Sequence, residues 1–270
     1  GRPMTSRHIV ALGGSLLRPE ESEQRSAWFG QLRQLAVHLE GNGRRVGIVI
    51  GGGLPAREAI ELAKTCVSAS DKLDRVGIAA TRLNATVIQQ ILLDIGCNVA
   101  PSIPHTTSES AELLEKYNFV VMGGTTPGHT TDAVAVAFAR DAGSRTCIIA
   151  TNVSHVYDKD PREFDDAQSL TKLTIDELAE ITGIGEPLAP GTSAVIDPIA
   201  VGWAKDSCID LAVLDGRQIS TLEQALDGQP FDGTLTVPYT HPRPHETVLE
   251  LVCRLLLEKK KKNKNIYNIN

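Results

Sequence analysis

The stretch FVVMGGTTPGHTTDAVAVAFAR, residues 119–140, decides how this chain is read. Phe119–Met122 is an apolar run with the length of a buried strand, and Asp132–Arg140 has the composition of a helix. Between them lie three glycines, four threonines, His129, Pro127 and finally Asp132. Glycine lets backbone N–H groups come close to an anion, and a helix start adds partial positive charge. Threonine hydroxyls can hold phosphate oxygens, and a carboxylate at the rim can hold a metal ion or its water. A turn closed by a Thr/Asp helix cap would use the same residues.

Working outward, the same strand–glycine–helix grammar recurs. His8–Leu12 reads as a strand ending in Gly13-Gly14-Ser15, and Arg45–Ile50 as one ending in Gly51-Gly52-Gly53. Pro55–Lys64 starts a helix with proline in its first turn. Ser26–Leu39, Asp74–Ile95, Ser108–Lys116, Thr174–Ile181, Pro198–Lys205 and Thr221–Leu226 have helical spacing. Asn98–Pro101, Thr146–Thr151 and Leu211–Leu214 read as strands, and Thr234–Val237 as an edge strand. This alternation predicts an α/β fold, a mainly parallel sheet with helices on both faces. Ligands of such sheets bind at the carboxyl ends of the strands, where the three glycine loops would gather.

The 270 residues are 41% hydrophobic but only 4% aromatic, so the core must be aliphatic and alanine-rich. A net charge of −6 argues against nonspecific nucleic-acid binding. Five scattered cysteines without a CxxC disfavour a disulfide framework or zinc site and fit a reduced, cytoplasmic setting. No apolar run approaches the roughly 20 residues that span a bilayer, and no signal-peptide pattern is present. Gly1-Arg2-Pro3 reads as the remnant of an expression tag. The segment 239–270 holds seven basic and three acidic residues, leaving 20 basic against 30 acidic residues, or −10, in the body. A basic tail can touch nucleic acid or anionic lipid, but a solvated or artefactual extension is the preferred reading.

No Gly-Lys-Ser/Thr follows any glycine cluster and no GxGxxG with a downstream acid is present, which disfavours Walker-type NTPases and Rossmann dehydrogenases. Ser15 and Ser193 lack a nucleophile-elbow context. Arg57, one turn beyond the second glycine loop, can clamp a phosphate bidentately or form a surface ion pair. Asp74 and Arg82 flank another helix. The segment TNVSHVYDKDP (151–161) places Tyr157 and Asp160 after a strand, where they can hold a base and ribose or form a plain loop. Asp197-Pro198 follows Gly191-Thr192-Ser193 at a helix start, where aspartate is commonly a cap.

Taken in order, ALGGSLL (11–17), VIGGGLPAR (49–57), LDRVGIAATRLNA (73–85), VMGGTTPGHTTDAVA (121–135), ATNVSHVYDKDPR (150–162), GTSAVIDPIA (191–200) and DGTLTVP (232–238) resemble the amino acid kinase superfamily, and within it the archaeal-type uridylate (UMP) kinases. The resemblance implies a three-layer αβα sandwich over residues 7–238, with 239–270 outside it. It implies transfer of the ATP γ-phosphoryl group to UMP. Gly52, Gly53, Arg57, Asp74, Thr125, Thr130 and Thr131 would then serve UMP. Gly13, Gly14, Ser15, Thr151, Asn152, Tyr157 and Asp160 would serve ATP, and Asp132, Gly14 and Asp197 the transfer itself. Mg²⁺ would be held by the nucleotide phosphates, with no direct protein ligand. A cytoplasmic homohexamer that binds neither nucleic acid nor membrane is the implied assembly.

Two departures stand out. Much of the superfamily carries a lysine where Ala11 stands, and Asp197 would orient it. Ser154-His155 replaces the usual Asp-Gly, so His155 occupies a position that often needs glycine's backbone freedom. These departures motivate an alternative, a catalytically weak nucleotide-binding, storage or regulatory homologue. A kinase of another small acceptor is a further alternative, against which Arg57, Asp74 and TTPGHTTD argue.

Overall fold

A computed structural model describes residues 7–18, 22–183 and 195–237, with two isolated tail positions, 256 and 259. The elements follow in the order β1 (Arg7–Leu12), a 3-10 turn (Gly14–Leu17), α1 (Ser22–Gly41), β2 (Arg45–Ile50), α2 (Gly53–Lys64), α3 (Ser70–Asp94), α4 (Thr107–Leu114), β3 (Phe119–Met122), α5 (Thr131–Ala142) and β4 (Thr146–Thr151). Then come β5 (Val156–Tyr157), β6 (Ser169–Leu170), β7 (Lys172–Thr174), α6 (Ile175–Thr182), α7 (Pro198–Asp206), β8 (Asp210–Asp215), α8 (Ile219–Leu226) and β9 (Gly233–Val237).

Seven strands form one sheet in the order β3-β2-β1-β4-β8-β9-β7, and β5 pairs with β6 in a small antiparallel ribbon. The first five run parallel; β9 is antiparallel to β8, and β7 is parallel to β9. Strands buried on both faces need continuous apolar runs, and Ile9–Leu12, Val120–Met122 and Leu211–Leu214 supply them. Helices α4, α5, α6 and α7 cover one face around Phe138 and Ile149. The other face carries α1, α3 and α8, with Trp28, Ile88 and Leu222 in its core. This is the three-layer αβα arrangement expected from the residues.

Alanines make α5 thin enough to lie close to the sheet, and Phe138 fills the space over Gly47. A Cβ at Gly47 would come within 2.5 Å of the Phe138 ring. Helix α2 contributes no fully buried residue and rests on α3 at the carboxyl end of the sheet.

Some expectations need correction. Thr234–Val237 is not an edge strand, because β7 pairs on its outer side. Asn98–Pro101 forms only a single bridge, Val99 to Phe119, since the chain must turn at once into the α4 approach. The β5–β6 ribbon and β7 were too short to leave a period-2 signal. Helix α3 is long and apolar enough by composition to cross a bilayer, contrary to the run-based reading. Its buried face includes Asn84 and Gln89 and packs toward the sheet. Among the described residues Cys66, Cys97 and Cys147 are free thiols. Gly191–Ser193 lies outside the described residues, as does the 239–270 extension apart from the two positions above.

Truncating Phe138→Ala leaves a void between α5 and Gly47 that the rigid sheet cannot close. A loss of about 3–5 kcal/mol is expected in denaturant unfolding.

Candidate active site

The strand order reverses between β1 and β4: the chain runs from β1 outward to β2 and β3, then returns to the other side of β1. Loops diverge at such a point and leave a crevice. Here the crevice is a cleft of about 270 Å³ floored by Ala11, Leu12, Ile149 and Ala150 and walled by Gly13, Gly14, Gly51, Thr130, Thr131, Asp132 and Thr151. Among the described residues no Lys, Arg or His lines it.

The first two glycine loops touch through their backbones. A Cβ on Gly14 would sit 2.3 Å from the Gly53 nitrogen and 2.6 Å from the Gly51 carbonyl oxygen. Only glycine permits that approach, and Gly53 also has a φ of +56°. Gly51 N donates to Leu12 O at 2.9 Å and Gly13 N to Ala150 O at 3.0 Å, which seats both loops on the strand ends.

The third loop ends in the N-terminus of α5. Thr130 is the N-cap, its hydroxyl accepting from Ala133 N at 3.2 Å, and Thr131 and Asp132 of the first turn line the cleft. The Thr130 hydroxyl also donates to Asp197 Oδ2. Asp197 is buried and caps α7 by accepting from Ile199 N at 3.0 Å. It therefore joins two helix starts, and its carboxylate is occupied although Ala11 offers no lysine.

Asp132 lies in the first turn of α5 and accepts from Asp197 N at 3.4 Å. Burial pushes its carboxyl up to about 6, the Asp197 backbone N–H opposes this, and the negative charge of Asp197 reinforces it.

Helix α3 holds the loops from behind. Asp74 accepts from Gly128 N at 2.9 Å. Thr81 accepts from Gly124 N at 2.7 Å while donating to Ile78 O. Asn84 donates to Gly51 O at 2.8 Å and Gly52 O at 3.0 Å. Seven and three residues apart, these side chains share one helix face.

Of the expected residues, Gly13, Gly14, Thr130, Thr131, Asp132 and Thr151 line the cleft together. Gly52 and Gly53 adjoin it against Gly14. Ser15 follows in the 3-10 turn, and Thr125 lies in the third loop. Arg57 is exposed on the first turns of α2, and the surface ion pair considered for it is not formed among the described residues. Asn152, Tyr157 and Asp160 lie beyond β4, outside the cleft lining. Asp160 is paired with Arg162 at 3.0 Å, which holds its carboxyl below the usual range.

The glycine conformation expected at position 155 is not used. Among the described residues Cys208 is the sole non-glycine with positive φ. The half-buried His155 bridges Ser154 Oγ at 2.8 Å and Asp232 Oδ1 at 3.4 Å. Arg18, Thr81 and Asn84 escaped the sequence reading. The one available signal was a pair of polar residues, Thr81 and Asn84, within the apolar stripe of a long helix.

Backbone amides converging from glycine loops and a helix start, above the switch point of a parallel sheet, define a phosphate-handling α/β protein. The chain belongs to the amino acid kinase family, whose model matches residues 6–215. It is 37% identical over 231 residues to the uridylate kinase of Methanococcus vannielii, covering 85% of this chain and 99% of that one. The uridylate kinase of Methanocaldococcus jannaschii is 36% identical over 211 residues, covering 78% and 91%. The crystal structure of uridylate kinase from Archaeoglobus fulgidus superposes with a TM-score of 0.71 at 35% identity, covering 85% of this chain and all of that one. UMP kinase from Bacillus anthracis shares the fold at 21% identity, with a TM-score of 0.70 over 86% of this chain and 96% of that one.

The raised carboxyl of Asp132 predicts a pH-dependent stability difference. The native state binds this proton more tightly than the unfolded chain, so ionised Asp132 burdens the fold above about pH 6 and not below about pH 4. Asp132→Asn should therefore be more stable than the parent by up to about 3 kcal/mol at pH 7.5. The gain should fade as pH drops toward 4, read from urea unfolding at the two pH values.

Proposed function

We propose that the chain is a nucleoside monophosphate kinase that transfers the γ-phosphoryl group of ATP to UMP, giving UDP and ADP in pyrimidine nucleotide synthesis. The observation that carries this reading is the meeting of two glycine loops and the α5 N-terminus in one cleft. The 37% identity to a uridylate kinase over 85% of the chain supports the acceptor assignment.

The UMP phosphate takes the side of Gly52, Gly53 and Arg57. Arg57 is exposed one turn into α2, free to fold its guanidinium over an arriving phosphate. Asp74 serves the UMP ribose, and Thr125, Thr130 and Thr131 line the acceptor side. ATP enters from the β4 side, with Thr151, Asn152, Tyr157 and Asp160 around its nucleoside and Gly13, Gly14 and Ser15 under its terminal phosphate.

The acceptor is already an anion, so no strong general base is required. What the protein must supply is in-line placement and fixed donors aimed at the moving group. The α5 first-turn amides and the Gly14, Gly52 and Gly53 backbone provide these, and Thr130 and Asp197 hold α5 in register. The donor set also suits Mg²⁺: among the described residues the cleft lining has no cationic side chain, and Asp132 is its one carboxylate. The nucleotide phosphates would hold the ion, with Asp132 facing its water shell; when bound it neutralises phosphoryl charge. The assembly is a cytoplasmic homohexamer, and exposed Leu54, Leu62, Leu83 and Leu93 on α2 and α3 offer apolar contact.

A coupled assay with UMP, ATP and Mg²⁺ should show turnover, with Asp132→Asn reducing kcat by about 10²-fold or more. No turnover above the variant, or a better acceptor in a panel of small acids and phosphates, would refute the UMP reading. Light scattering after size exclusion should give six subunits, and a monomer would contradict the assembly.

A further inference from the structure

We propose that Arg18 and Asn84 form a positioning pair that aims the backbone N–H groups of Gly52 and Gly53 at the acceptor phosphate. This inference rests on the kinase reading above and adds two residues to it. Arg18 directly follows the 3-10 turn that begins at Gly14. Its Nη1 donates to Asn84 Oδ1 at 2.8 Å. Asn84 is 0% exposed, and its Nδ2 donates to both Gly51 O and Gly52 O.

A trans peptide is planar, so its C=O and the following N–H point in opposite directions. Holding Gly51 O on the α3 side turns the Gly52 N–H away from α3, and holding Gly52 O does the same for the Gly53 N–H. Gly53 N lies against Gly14, a residue of the cleft wall. Three consecutive glycines would otherwise flip these peptides at little cost. Asn84 can serve only in one amide orientation: NH₂ toward the two carbonyls and oxygen toward Arg18. The guanidinium, which donates and cannot accept, enforces that orientation. The pair also ties the segment after the first glycine loop to the second loop, so the walls for donor and acceptor phosphates share one strut.

Arg18→Met removes the donor at a partly exposed site and leaves the buried Asn84 in place. Arg18→Lys keeps a cationic donor. A cooperative melt and native circular dichroism establish that each variant is folded. In steady-state kinetics, Arg18→Met should raise KM for UMP about tenfold while KM for ATP changes less than twofold. Inhibition by uridine, which lacks the phosphate, should stay within twofold of the parent, and Arg18→Lys should recover most of the UMP affinity. Unchanged KM for UMP in Arg18→Met, or equal losses for UMP and uridine, would overturn the inference. Failure of the underlying reading looks different: the parent protein itself would then not phosphorylate UMP. In that case the best acceptor of a panel and its dephosphorylated form take the places of UMP and uridine.

Discussion

The contact on which the site depends is backbone against backbone, where Gly14 meets Gly51–Gly53. Two strand ends, one from β1 and one from β2, bring their loops within a distance that excludes a single methyl group. That closeness brings two separate glycine loops to the wall of one cleft. It also accounts for the small size of the cleft: on the glycine side its walls are peptide groups, which carry only partial charge.

The carboxylates fit the same logic. Asp197 does not wait for a missing lysine; it closes a hydrogen-bonded link from Thr130 to the start of α7. Asp132 is held close to it, a like-charge neighbour in a desolvated place. Such pairing, with a carboxylate buried beside a like charge, is unfavourable to the fold.

Much of the architecture was legible because it rests on local chemistry. Apolar runs closed by glycine marked β1, β2 and β3, and the Thr130–Asp132 start of α5 is a cap pattern visible in any strand–loop–helix. What escaped had no local signature. Lys172–Thr174 covers β9 through a pairing more than sixty residues distant, with only three residues to show a period. Asn84 and Thr81 look like neutral interruptions of an amphipathic helix, because their partners are main-chain groups that every residue possesses. His155 misled for the reverse reason: a glycine preference was expected from likeness, yet the backbone there stays out of the left-handed region.

Helix α3 has a consequence for how this chain can vary. Asp74, Thr81 and Asn84 reach Gly128, Gly124 and Gly51–Gly52 from one face across ten residues. Each residue inserted or deleted between them would rotate the remainder by about 100° and slide it by about 1.5 Å. All the grips beyond the change would be lost together. The count of residues from 74 to 84 is therefore fixed by the grips at its two ends. In this segment length is constrained together with the identity of the three gripping residues.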